Sequence, residues 1–199
     1  EGLLVVGPGA QGRQCVQAAG AWQSLAPQYA AQMQAQPARV THWPGRIIAP
    51  GFIDLHLHYP QTDVIGSPAN GLLAWLENYT FPQEARFADP AHAAEVAPFF
   101  LDELRRNGVT TALTFATSHS ESVNALFTEA QAQRMRLITG LCLMDRNAPA
   151  DLLNTASTDG RVNATEQSLR DTEALPQRRH RPDRLGSAIT PRLAPTPTD

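Results

Sequence analysis

The residues best suited to chemistry gather in one short run, Asp54-Leu55-His56-Leu57-His58. Neutral imidazole is the commonest protein ligand for a metal, and one ion needs donors that converge from one side. The run is apolar apart from its ionisable positions, so it reads as a strand. On a strand, residues two apart share a face, which sets His56 and His58 side by side about 7 Å apart. With metal–nitrogen bonds near about 2.1 Å, both reach a single divalent ion. A bare His-x-His is a short pattern, and two histidines packed in a core or solvated would match it equally.

Two other patterns are weaker. Gly7-Pro8-Gly9-Ala10-Gln11-Gly12 follows an apolar run and matches a dinucleotide fingerprint. That fingerprint needs an acidic residue about 20 positions later for the ribose hydroxyl. No Asp or Glu occurs between Gly2 and Ile53, and Pro8 removes a backbone N–H from the loop, so a hairpin or loop is the better reading. The basic run Arg178-Arg179-His180-Arg181, with Arg184, has no interleaved aromatics and reads as a solvated helix end, not a nucleic-acid surface.

Composition narrows the class. The 199 residues are 42% hydrophobic and 18% charged with net charge -3, which suits a globular domain and gives no reason to expect nucleic acid or an acidic membrane as partner. No apolar run approaches the roughly 18 residues of a membrane span, and no signal peptide opens the chain. Cys15 and Cys142 are too few and too isolated for a disulfide framework, so a reducing cytoplasmic setting is expected.

The elements that must position the histidines alternate. Residues 1–50 read as a partial β-rich region, with short strands at Leu3 to Val6 and Arg46 to Ala49. From residue 51, Phe52 to His58 is the first strand. Asp89 caps a helix that has Pro90 at its first position and stops at Asn107-Gly108. Val109 to Thr117 is a buried strand by its β-branched content. Ser118 and Glu121 have capping-box spacing before the next helix. Leu137 to Met144 is a third strand, Ala164 to Leu175 a polar helix, and Leu185 to Thr190 a fourth strand. Pro98 and Pro176 fall within predicted helices, where each costs around 3 kcal/mol unless it marks a kink. The class is α/β with a parallel sheet: four β/α units, half of an eightfold barrel or a small open sheet.

The stretch Pro50-Gly51-Phe52-Ile53-Asp54 before the histidines resembles the entrance to the first barrel strand of the metal-dependent amidohydrolase superfamily. His58-Tyr59-Pro60-Gln61-Thr62-Asp63 and Trp75-Leu76-Glu77-Asn78-Tyr79-Thr80-Phe81-Pro82 resemble its guanine deaminases. So do Met144-Asp145-Arg146-Asn147-Ala148-Pro149 and Ile189-Thr190-Pro191-Arg192. The resemblance runs from about Pro50 to the last residue. Residues 1–50 would then be part of a small β-sandwich, and residues 51–199 the N-terminal half of the (β/α)8 (TIM-like) barrel.

This resemblance implies zinc held by His56 and His58, and guanine bound by Gln61, Arg192 and Leu193. A Gln amide offers a purine edge both donor and acceptor, and a guanidinium offers a fork of donors. Leu193 stands where the family usually has Phe, which weakens purine stacking, and Arg179 stands where an aromatic is common. The implied reaction is hydrolysis of guanine to xanthine and ammonia in purine catabolism, by a homodimeric parent enzyme. The family's remaining ligands, a His on each of the fifth and sixth strands and an Asp on the eighth, have no match here, nor does its proton-shuttling Glu. The chain opens on Glu1 and ends just past the fourth strand, as expected of an inactive N-terminal fragment. Other readings are a cytosine deaminase, a triazine chlorohydrolase or a non-catalytic truncated protein. Thr117 and His119, and the loop Asp145-Arg146-Asn147, lie at strand ends; His119 lines a pocket or starts a helix, and an internal ion pair orders the loop.

Overall fold

A computed structural model describes residues 1–153, 164–179 and 184–192. The chain divides into two compact units, Glu1–Ala49 and Pro50–Asp199.

In the first unit, strands β1 (Gly2–Pro8) and β2 (Gln14–Ala21) form an antiparallel hairpin. The glycine-rich run is its turn: Ala10–Gly12 is a 3-10 turn, and Gly12 takes φ +73°, a left-handed conformation that suits glycine. Helix α1 (Trp22–Ala35) follows. The sequence reading gives no helix there, because no apolar stripe marks one; only Ala26 is buried on it, and its Ala, Gln and Met content supplies propensity instead. The strand expected at Arg46 to Ala49 does not form. Its backbone pairs with no strand among the described residues, and Ile47 is 94% exposed.

The second unit begins with β3 (Phe52–His58), which runs into a 3-10 turn over Tyr59–Val64. A helical stretch then passes through α2 (Leu72–Trp75), a π-helical turn (Leu76–Thr80) and α3 (Phe81–Ala85). Helix α4 (Pro90–Arg106) has the expected cap: Asp89 Oδ1 accepts from the Ala91 amide at 2.9 Å. It ends at Asn107-Gly108, with Gly108 at φ +80°. Next come β4 (Val109–Phe115), α5 (Ser120–Ala132), β5 (Arg136–Gly140), β6 (Cys142–Leu143), α6 (Ala164–Arg179), β7 (Leu185–Ser187) and β8 (Thr190–Pro191). Strands β3-β4-β5-β7 lie in chain order in one parallel sheet, and β6 pairs with β8, also parallel. This is the order of successive barrel strands, in a sheet that does not close among the described residues. None of the described helices is long and apolar enough to cross a membrane.

Helices α4 and α5 cover the sheet through Ala97, Leu101, Val123, Leu126 and Phe127, all fully buried with Leu137 of β5. Burying each large side chain contributes roughly 1.5–3 kcal/mol. Tyr59, also fully buried, donates its hydroxyl to the Ala93 carbonyl at 2.5 Å and so ties the end of β3 to α4.

Two expected strands are broken. Leu137 to Met144 splits after Gly140, and Leu185 to Thr190 splits after Ser187. The breaks face each other. A Cβ on Gly140 would lie 1.9 Å from the Ala188 carbonyl oxygen, so only glycine permits this approach. The Ala188 amide donates to Thr139 O at 3.0 Å, and Thr190 Oγ1 donates to Leu141 O at 2.5 Å, which restores pairing beyond the break. A continuous apolar run carries no sign of such a step. The capping box also differs. Helix α5 starts at Ser120, and the Ser118 hydroxyl is buried without a hydrogen-bond partner among the described residues. Ser122 Oγ instead accepts from the Thr117 amide at 3.1 Å and donates to His119 O at 2.8 Å.

Candidate functional site

The two histidines stand at the C-terminal end of β3, beside a bulge. Asp54 pairs with Ala112 and Leu57 with Thr114, so β3 advances three residues while β4 advances two. The His56 amide donates to Asp54 Oδ1 at 3.1 Å, a local bond that steadies the bulge. The imidazoles lie edge to face with centroids 5.4 Å apart. Phe115, at the end of β4, supports both. His58 stacks on it at 4.7 Å and 9°, and His56 meets it edge-on at 5.7 Å.

Burial pushes the His58 pKa down to about 4, and the charges of Arg192 and then His56 push the same way. His58 is therefore neutral at pH 7, the state that a metal ligand requires. Its Nδ1 is buried with no hydrogen-bond partner among the described residues, an arrangement that a bound cation would relieve. These features fit a divalent ion. They form an incomplete site, because no group of three or more His, Cys, Asp or Glu able to hold a metal occurs among the described residues.

Gln61 lies on the 3-10 turn that follows the histidines, a turn pinned by Thr62 Oγ1 donating to Tyr59 O at 2.7 Å. Arg192 follows β8, and its amide continues the β6–β8 pairing to Leu143 O at 3.4 Å. The structure brings Gln61 and Arg192 to one carboxylate. Gln61 Nε2 donates to Glu84 Oε1 at 3.1 Å, and Arg192 Nη1 is paired with Glu84 Oε2. The Arg192 side chain is 3% exposed and the Glu84 side chain 0%. Burial opposes the Arg192 charge, and the Glu84 carboxylate more than offsets this, leaving the guanidinium pKa above its ordinary value. Phe81 lies under the guanidinium, its ring centroid 5.2 Å from Cζ, a cation–π distance. The neighbouring Cys142 thiol is pushed up to about 12, mainly by burial.

Glu84 is absent from the residues singled out by sequence, and Phe81 appears there only within the Trp75 to Pro82 stretch, with no role assigned. Glu84 sits on a short helix in Phe81-Pro82-Gln83-Glu84, where a glutamate normally marks a solvated face. Its position two residues past the Trp75 to Pro82 stretch was the one available signal. Leu193 lies outside the described residues. His119 starts α5: its Nε2 meets the Asp151 carbonyl at 2.9 Å and its Nδ1 meets Thr117 Oγ1 at 3.2 Å, so both ring nitrogens serve structure. Asp145 accepts from Thr165 Oγ1 at 3.0 Å. A cleft of about 460 Å³ lies in the first unit, between Trp22, Met33 and Val40, but no titratable group lines it.

The amidohydrolase family model matches residues 47–199. The chain belongs to the amidohydrolase family. Among proteins similar to this amidohydrolase is guanine deaminase of Escherichia coli strain K12, 47% identical over 158 residues, which are 79% of this chain and 34% of that protein. The structure of E. coli guanine deaminase superposes with a TM-score of 0.80 at 42% identity, over 98% of this chain and 41% of that one. A guanine deaminase from C. acetobutylicum, with guanine bound in its active site, gives 0.66 at 32% identity, over 75% of this chain and 34% of that one. The amidohydrolase chain thus spans about a third of the length of the curated relative it matches. The fold is that of the first β/α units of an amidohydrolase barrel.

Proposed function

We propose that this chain is the N-terminal part of a guanine deaminase that hydrolyses guanine to xanthine and ammonia. The observation that carries the reading is the junction at Glu84, where Gln61 and Arg192 meet within the electrostatic reach of His58. A purine edge combines ring N–H groups with carbonyl and ring-nitrogen acceptors, and an amide beside a guanidinium matches such an edge. The guanine deaminase relatives support the same substrate class.

In this reading His56 and His58 hold a divalent ion, taken to be zinc, and Gln61, Arg192 and Leu193 contact the purine. Bound zinc would lower the pKa of its water from 15.7 toward about 7 and so supply hydroxide at neutral pH. This chain's own residues bind and orient. Phe115 fixes both imidazoles, burial keeps His58 unprotonated, and Arg192 places positive charge beside the purine carbonyl. The rest of the proposal is a homodimeric cytoplasmic enzyme of purine catabolism, without nucleic-acid or membrane partners.

The assay is ammonia release from guanine, with cytosine for comparison, by a polypeptide that carries this chain and the family's remaining ligands. Turnover of guanine alone, lost in His58→Ala and with KM raised in Arg192→Ala, is expected. Preference for cytosine, or turnover indifferent to His58, would overturn the reading.

A further inference from the structure

We infer that Glu84 is a positioning residue that fixes both the direction of the Gln61 amide and the seat of the Arg192 guanidinium. It thereby sets the hydrogen-bond polarity that the site offers a ligand. The inference rests on the reading of Gln61 and Arg192 as ligand-binding groups.

A carboxylate accepts hydrogen bonds and donates none. Gln61 must therefore turn its Nε2 toward Glu84, where it bonds Oε1 at 3.1 Å, and this directs the amide oxygen away from the carboxylate. An amide with no such neighbour could present either end, whereas Gln61 presents an acceptor. Arg192 spends Nη1 on Glu84 Oε2 and keeps further N–H donors. Acceptor and donors stand on one carboxylate, so the matching ligand carries a ring N–H for Gln61 and a carbonyl oxygen for Arg192. Guanine has both groups. Adenine, which carries no carbonyl oxygen, matches less well.

Burial makes the arrangement strict. With Glu84 0% exposed and Arg192 3% exposed, water cannot replace either partner. Phe81 closes the other side of the guanidinium at 5.2 Å. The helix that carries Glu84 is anchored nearby: Gln83 Nε2 donates to Asp63 Oδ2 at 2.8 Å, and Arg86 Nη1 donates to Gln83 Oε1 at 2.8 Å. Glu84 therefore reaches the ligand only through the two residues that it holds.

Two measurements on the full chain test this. In nitrogen-15 spectra, the Gln61 side-chain NH2 signal is identified by its absence in Gln61→Leu. It should exchange with water about tenfold more slowly than an exposed glutamine NH2. That protection should vanish in Glu84→Gln, whose amide has one acceptor oxygen for two donors. Glu84→Asp serves if Glu84→Gln fails to fold: its shorter carboxylate should keep Arg192 and release Gln61. Guanine affinity, measured by equilibrium dialysis, should fall about 10- to 100-fold in Glu84→Gln, a typical loss for a group that orients a ligand-binding residue. In an Arg192→Met background the same change should cost less, because one of the two residues that it acts through is gone. Unchanged Gln61 protection in a folded Glu84 variant would overturn the positioning role, whatever guanine does. Protection lost as expected, in a polypeptide that carries this chain and the family's remaining ligands yet binds no guanine, would establish the positioning role and remove guanine as the ligand.

Discussion

Arg192 and Glu84, 108 positions apart, form an ion pair withdrawn from water on both sides. Breaking such a pair strands a buried charge, whereas removing both partners does not. Glu84→Ala should therefore lower stability by about 3–5 kcal/mol, and Glu84→Met with Arg192→Met should recover most of it. Urea denaturation of the three chains checks this. A loss below about 1 kcal/mol for Glu84→Ala would mean that the guanidinium finds water or another acceptor.

Gly140 sets where Arg192 can stand. A Cβ there would meet backbone oxygen of Ala188 at 1.9 Å, and backbone cannot swing aside as a side chain can. Gly140→Ala should cost at least about 1–3 kcal/mol by overpacking, displace β8 and weaken the Arg192–Glu84 pair. Denaturation reports the first effect. Loss of Gln61 amide protection without any change at Glu84 reports the second.

The sequence carried the frame of the second unit well and its seams poorly. Strand-helix alternation, Asp89-Pro90 and Asn107-Gly108 located α4 and both neighbouring strands, because caps and apolar runs are local signals. The splits after Gly140 and Ser187 are not local: each exists because the other chain passes close by. At the site, strand alternation set His56 beside His58, and family resemblance singled out Gln61 and Arg192. Glu84 escaped because a glutamate on a short helix looks solvated until the fold delivers a guanidinium from beyond β8. Helix α1 escaped for a different reason, since it buries so little that no periodicity marks it.

The two cysteines should behave oppositely. Cys15 is exposed and should react with iodoacetamide in the native chain; Cys142 is buried and should react only on unfolding. Burial raises the Cys142 thiol from 9.0 to about 12, so above pH 9 the unfolded chain releases a proton that the folded chain retains. Stability from this group is whole below pH 9 and lost as pH rises toward 12. The buried Tyr59 phenol, also raised, adds to the loss above pH 10. The slope of urea midpoint against pH over 9–11 should therefore be shallower in Cys142→Ala than in the parent. Equal slopes would place the thiol in water.

Strand β3 forms one edge of the four-stranded sheet and exposes Phe52, Ile53 and Leu55 at 65%, 65% and 64%. An exposed apolar edge recruits further strands. The 199-residue chain alone should associate in sedimentation velocity, the more so as concentration rises. A monomer with a single cooperative melt would show that the edge is covered.

His56 and His58 share one divalent ion in the proposed site. Zinc titration of the 199-residue chain at pH 7, in competition with a chromophoric chelator, measures this directly. The expected result is one weakly held ion per chain, lost in His56→Ala and equally in His58→Ala. Zinc affinity unchanged by either substitution would contradict it.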